Sequence, residues 1–175
     1  LPSRLRVASG WLAGLLALVW ARPRPLSLAA GLVLGALGEA LRLWASGHIE
    51  KTQALATGGP YAHTRNPLYL GSILMAAGIA VAAASPWTVL VVAAYLAAFY
   101  PSLVREEAGF LSARFGAEYA AWASEVPLFL PRLTPGGPRR SRFSWERVRT
   151  NREWRTAAAL PLVLLLLYLR SRLGL

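Results

Sequence analysis

Five long apolar runs govern what this chain can become: Val7 to Ala21, Leu26 to Ala45, Leu68 to Ala84, Trp87 to Val104 and Thr156 to Leu169. They hold nearly half of its 175 residues. At about 1.5 Å per helical residue, the second and fourth nearly match a hydrocarbon core of about 30 Å, while the first and last need their flanks to cross it. The fifth contains Pro161, with Trp154 before it and Arg170 after it as interfacial anchors. Only 15% of the residues are charged and mean hydropathy is +0.42, against roughly 25% charged in a soluble domain. The apolar surplus calls for a bilayer as second solvent. The expected fold is all-α: a multi-pass membrane protein with about five transmembrane helices, one domain over 1–175. A core at 41–131 would carry the motifs, and 132–175 would supply a basic interfacial segment and the last membrane helix.

Local punctuation supports these divisions. Arg22-Pro23-Arg24-Pro25 must break the first helix, because proline lacks an N–H and disfavours helical geometry in the residue before it. Ser85-Pro86 reads as an N-cap followed by proline in the first turn, so the third and fourth helices form a tight hairpin. Gly47 can close the second helix. The pairs Gly10/Gly14 and Gly31/Gly35 have the spacing that lets helices approach closely. A cleaved signal peptide competes for the first run, which has a basic start at Arg4 and Arg6, but a first membrane helix explains the same residues. The absence of an initiator Met reads as trimming.

The net charge of +11 is carried almost wholly by arginine, 18 of the 19 basic residues. Placing the N-terminus in the cytoplasm puts Arg4, Arg6, Lys51, Arg65, Arg105, Arg114 and Arg132 on that side, with all the basic residues from Arg139 to Arg155. Arg22, Arg24, Arg170 and Arg172 fall on the other, and this asymmetry obeys the positive-inside rule. The expected location is the bacterial inner membrane, with chemistry facing the cytoplasm. The stretch 139–155 interleaves arginines with Phe143, Trp145 and Trp154. Directly before a membrane helix, that pattern fits anionic headgroups better than nucleic acid.

Two polar clusters stand out as candidates for chemistry. The first is Gly58-Gly59-Pro60-Tyr61-Ala62-His63-Thr64-Arg65-Asn66-Pro67-Leu68-Tyr69-Leu70-Gly71, leading into the third helix. Asn66 suits a cap and Pro67 a first turn, so backbone N–H groups there can face an anion beside Arg65. The second follows the fourth helix: Arg105-Glu106-Glu107, then Leu111, Phe115, Tyr119, Trp122 and Val126 at three- and four-residue spacing, an amphipathic helix expected at the cytosolic face. Adjacent carboxylates at Glu106 and Glu107 would stabilise an amine or a sulfonium. Glu39 and Arg42 share one face of the second helix, where they either neutralise each other or serve the site. Without cysteine or aspartate, and with His48 and His63 the only histidines, no metal site is expected. Disulfides and thiolate catalysis are excluded.

Gly59-Pro60-Tyr61, Arg65-Asn66-Pro67-Leu68-Tyr69-Leu70-Gly71, Glu106-Glu107 and Phe115-Gly116 with Glu118-Tyr119 together resemble the isoprenylcysteine carboxyl methyltransferases and phospholipid methyltransferases of membranes. The resemblance spans about Leu41 to Pro131 and includes Arg42-Leu43-Trp44-Ala45 with Gly47-His48. Asn66 stands where the eukaryotic carboxyl methyltransferases have His. What the resemblance implies is S-adenosylmethionine bound at the cytosolic membrane face, with a lipid-side tunnel for the acceptor. The motif positions Tyr61, Arg65, Asn66, Pro67, Tyr69, Gly71, Glu106, Glu107 and Tyr119, with His63 from the same loop, are the candidates to hold the cofactor, and Arg42, Arg105, Glu106 and Glu107 those for catalysis. Arg65 would hold the cofactor carboxylate, Glu106 or Glu107 its amino group, and the aromatic residues its sulfonium or adenine.

Methyl transfer from a sulfonium is an in-line displacement, so the protein chiefly aligns the nucleophile and excludes water. A carboxylate acceptor would need a counter-ion such as Arg42 or Arg105. An amine would need a base, for which Glu106, Glu107 and His63 are candidates. No acidic residue and Gly-x-Gly turn follow a strand, so a Rossmann cofactor domain is not expected. Two alternatives stand beside this reading: a sterol-type membrane reductase using NADPH, and a non-catalytic assembly or lipid-binding protein of the membrane. All versions of the enzyme require the two clusters to meet in one pocket.

Overall fold

The computed structural model describes residues 3–50, 53–138 and 141–173. Lys51, Arg139 and Arg140 lie outside the described residues, as do the side chains of Arg4 and Arg6. The fold is all-helical: α1 (Ser3–Val19), α2 (Pro25–Ser46), a 3-10 turn (Gly59–Ala62), α3 (Pro67–Ala83), α4 (Pro86–Glu125), α5 (Trp145–Thr150) and α6 (Trp154–Leu173). Three of these, α2, α4 and α6, are long and apolar enough to cross a membrane, whereas α1 and α3 are shorter apolar helices. The prolines act as expected at 23, 25, 67 and 86. Pro161 lies inside α6, and Pro101 inside α4, without ending either helix.

Two compact units emerge, each assembled from separated pieces of chain. One comprises Leu1–Gly38, Ile73–Ser102 and Ala157–Leu175. Its core gathers Ala21, Met75, Ala82, Ala83, Leu160, Leu164 and Leu167. Small residues control its packing. A methyl group on Gly31 would lie 2.4 Å from the Gly78 carbonyl oxygen, and one on Gly78 would lie 2.6 Å from the Gly35 nitrogen. The Gly31/Gly35 pair is therefore a packing device, completed by a third glycine that the spacing did not flag. Gly14 has nothing within 4 Å of such a methyl.

The other unit comprises Glu39–Ser72 and Leu103–Thr156. Its apolar centre contains Ala45, Leu55, Tyr61, Tyr119, Trp122 and Val126, with Leu111 and Phe115 packed against it. The stripe read from the sequence is thus buried against the protein itself. Its helix is not separate, however. α4 continues beyond the expected end at Val104 as far as Phe115, and turns only at Gly116, whose φ of 47° and ψ of −118° interrupt the helix. Only glycine enters this conformation at little cost. A continuous helix of about thirty residues exceeds a hydrocarbon thickness of about 30 Å, so its distal part is free to carry polar chemistry.

Gly47 follows α2 without a left-handed turn. Its missing side chain makes room for Phe143, whose ring would lie 2.3 Å from an added methyl. The expected glycine cap is instead a close-approach glycine.

Candidate functional site

The loop 58–66 is held by a second loop, 126–136, through backbone and short side chains. Arg65 N donates to the Pro127 carbonyl (2.9 Å), Arg132 N to His63 O (3.0 Å) and Gly136 N to Ala62 O (2.8 Å). Thr64 Oγ1 lies 3.2 and 3.1 Å from the carbonyls of Leu128 and Phe129, and Asn66 Nδ2 donates to Leu128 O at 3.1 Å. The Asn66 side chain therefore ties two loops together, while its carbonyl accepts the first helical bond from Leu70. An open anion site at this helix start, expected from the cap reading, is not what its side chain builds. His63 Nδ1 donates to Arg132 O (2.8 Å), which fixes the proton on that nitrogen.

Tyr61 is seated by the 3-10 turn. Gly59 enters that turn with φ of 57°, directly against the His48 ring, where a methyl would lie 2.4 Å from the imidazole. Trp122 Nε1 donates to the Tyr61 carbonyl at 3.1 Å, and both side chains are buried. Burial pushes the Tyr61 phenol far above its ordinary range, with the Glu107 carboxylate adding to the shift, Arg42 opposing it, and Glu153 and Tyr69 adding further. The phenol stays neutral at any physiological pH, and it lies within electrostatic reach of both polar clusters.

The two clusters meet in a cavity of about 230 Å³ lined by Ile49, Glu50, Ala54, Leu55, Ala56, Tyr61, Arg65, Glu107, Phe110, Leu111, Phe115 and Trp122. It brings a guanidinium, two carboxylates, a phenol and an apolar wall to one concave surface. Arg65 Nε is buried there without a hydrogen-bond partner among the described residues. A buried unpaired donor of a charged group is costly. Arg65 is the one cationic side chain among the residues that line the cavity.

The other expected site residues take different positions. Tyr69 is half-buried, and Pro67 and Gly71 are buried at the start of α3. Tyr119 is buried against Trp122, with ring centroids 5.8 Å apart. Arg105 and Glu106 are exposed on α4 beside Glu107, and neither lines the cavity. Arg42 does not pair with Glu39. Its Nε donates to Glu153 Oε1 at 2.7 Å, with further bonds to the Leu68 carbonyl, Ser72 Oγ and Thr156 Oγ1. Glu39 is buried, and neither carboxylate oxygen has a hydrogen-bond partner among the described residues.

Several lining residues escaped the sequence reading. Ile49, Glu50, Ala54, Leu55 and Ala56 form part of the wall and show no motif. Glu153 was legible only as an acidic residue inside a basic run. That run is also more than a headgroup-binding strip: Arg147 pairs with Glu50, Ser144 N donates to Gly47 O, and Asn151 Nδ2 donates to the Ser46 and Ile49 carbonyls. Arg142, Arg149, Arg152 and Arg155, with Trp145 and Trp154, remain exposed.

An all-helical fold with three helices long and apolar enough to cross a membrane marks the chain as a membrane protein. Residues 27–118 match the phospholipid methyltransferase family, and the chain belongs to that family. It is similar to the cobalt-zinc-cadmium resistance protein CzcN of Cupriavidus metallidurans, 38% identical over 109 residues covering 59% of this chain and 50% of that protein. It is also similar to the nickel-cobalt-cadmium resistance protein NccN of Alcaligenes xylosoxydans xylosoxydans, 34% identical over 112 residues covering 61% and 52%. The chain thus spans about half the length of these curated relatives. No solved structure matches it.

Proposed function

We propose that this chain transfers a methyl group from S-adenosylmethionine to a lipophilic acceptor at the cytoplasmic face of the bacterial inner membrane. The observation that carries the reading is the cavity that brings Arg65, Glu107 and Tyr61 together. A cofactor bearing a carboxylate, an ammonium and a sulfonium next to an aromatic base matches that donor set: Arg65 toward the carboxylate, Glu107 toward the ammonium, and Phe110, Phe115 and the neutral Tyr61 toward the sulfonium and base.

When bound, S-adenosylmethionine supplies a methyl carbon already activated by positive sulfur. The protein's part is then alignment and exclusion of water. Leu55, Leu111, Phe115 and Trp122 make the wall apolar, and the paired loops 58–66 and 126–136 hold Tyr61 and Arg65 in place. Arg42, committed to Glu153, is not a free counter-ion for a carboxylate acceptor. Exposed Glu106 and Glu107 are the candidates to take a proton from an amine acceptor. The other unit, by itself, contains an apolar cavity of about 440 Å³ lined by residues such as Trp11, Leu15, Ile79, Tyr95 and Val163. The exposed arginines and tryptophans of 142–155 face anionic headgroups in this reading.

The test is equilibrium binding of radiolabelled S-adenosylmethionine to the full chain in lipid nanodiscs, with NADPH as competitor. Binding that NADPH does not displace, weakened about tenfold or more by Arg65→Ala at unchanged thermal midpoint, is the expected result. No binding, or equal binding by the variant, overturns the cofactor site. Methyl transfer to extracted lipid fractions then identifies the acceptor.

A further inference from the structure

Glu153 lies 35 residues beyond the end of the family match at residue 118, in a segment whose composition speaks only of headgroups. Its side chain is nevertheless buried, with 6% exposure, against 15% for its partner Arg42. The pair does more than cancel charge. Held by Glu153, the Arg42 guanidinium donates to the Leu68 carbonyl (3.2 Å) and to Ser72 Oγ, both in the first turns of α3. Those turns continue directly from Arg65 and Asn66. The same C-terminal segment bonds to backbone on either side, along the chain, of the lining residues Ile49, Glu50, Ala54, Leu55 and Ala56. Asn151 Nδ2 reaches Ser46 O at 2.9 Å and Ile49 O at 3.2 Å, while Gly58 N donates to Ser141 Oγ at 2.9 Å.

We propose that Glu153 is a positioning residue for the cavity: through Arg42 it fixes the entry of α3, and so sets where Arg65 meets a bound anion. This rests on the cavity being the cofactor site proposed above. Physical chemistry separates this role from simple charge balance. Removing one partner of a buried pair strands the other charge, whereas replacing both by apolar groups of similar volume is often neutral for stability. An apolar pair at these positions would keep the packing and lose the bonds from Arg42 to Leu68 and Ser72.

The experiment compares the full chain with Glu153→Gln and with the double substitution Arg42→Met, Glu153→Met, in nanodiscs. One readout is S-adenosylmethionine affinity. The second needs no ligand: the chain has no cysteine, so Ala54→Cys on the cavity wall serves as a reporter of maleimide labelling rate in each background. The expected result is an affinity loss of about tenfold in both variants, with severalfold faster labelling and a double-variant thermal midpoint close to that of the parent. Affinity and labelling restored to parental values in the double variant overturn the positioning role, because the pair then only balances charge. Should Glu153→Gln not fold, the double variant alone decides. Should the parent not bind S-adenosylmethionine, the cofactor reading fails by itself. Labelling then still decides, with unchanged rates overturning the role of Glu153 and faster rates upholding it.

Discussion

The two units solve the same problem, burying helices with few charges, by opposite means. In the unit made of Leu1–Gly38, Ile73–Ser102 and Ala157–Leu175, order comes mainly from shape: glycines and alanines at close approach, and large apolar side chains such as Trp11, Leu26 and Leu162 turned outward, with bonds from Ser27, Thr88 and Arg170 to backbone carbonyls added. In the unit made of Glu39–Ser72 and Leu103–Thr156, order comes from polar pairing. The Arg42–Glu153 and Arg147–Glu50 ion pairs and the loop bonds of Thr64, Asn66 and Asn151 all lie there. The difference teaches where chemistry can be housed. Lipid gives no hydrophobic drive between helices, so the first unit depends on van der Waals fit, while the second is built on specific donors and acceptors.

The comparison breaks most visibly at Gly31. Its Cβ would meet the Gly78 oxygen at 2.4 Å and the Ala82 Cβ at 2.6 Å, so Gly31→Leu should cost about 3 kcal/mol or more. Thermal unfolding in detergent, alongside Gly14→Ala as a tolerated control in the same unit, measures it; equal midpoints would refute shape as the organising principle. In the polar unit, Trp122→Phe removes the bond to Tyr61 O and part of a buried ring. A loss of about 1–3 kcal/mol is expected, together with weaker S-adenosylmethionine binding.

Tyr61 sharpens the contrast through pH. Its folded phenol is raised above the unfolded value of 10.0. The unfolded chain therefore releases that proton first. The associated stability is whole below pH 10 and falls as pH rises beyond it. Tyr61→Phe should remove that part of the alkaline decline, and unfolding midpoints between pH 8 and 11 would show it. The smallest effect belongs to Glu50→Gln. Glu50 is 36% exposed and Arg147 27%, and such pairs contribute at most about 1 kcal/mol. A midpoint shift beyond that would mean the basic segment is held more tightly than its exposure implies.

Much of the frame was readable in advance. The apolar runs predicted α1, α2, α3 and α6 to within a few residues. The apolar stripe Leu111 to Val126 named the face that is buried. The join of the fourth run to that stripe was missed because Gly116, and not Val104, is where the backbone departs from helical geometry. Of the candidate site residues, Tyr61, Arg65 and Glu107 line one cavity, whereas His63 and Asn66 spend their side chains on the 126–136 loop. Nothing in the local pattern of His63 or Asn66 marks that difference, since the carbonyls they reach lie more than sixty residues away.

What the amino-acid sequence by itself determined is the solvent, the helix breaks and the two polar clusters, because hydropathy, proline geometry and side-chain period act over neighbouring residues. Tertiary structure alone decided which charges are partners. Arg42 shares a helix face with Glu39 yet bonds to Glu153, 111 positions away. A buried guanidinium takes the carboxylate whose geometry lets its donors be filled together with a carbonyl and a hydroxyl. That choice exists only once the chain has brought distant segments side by side.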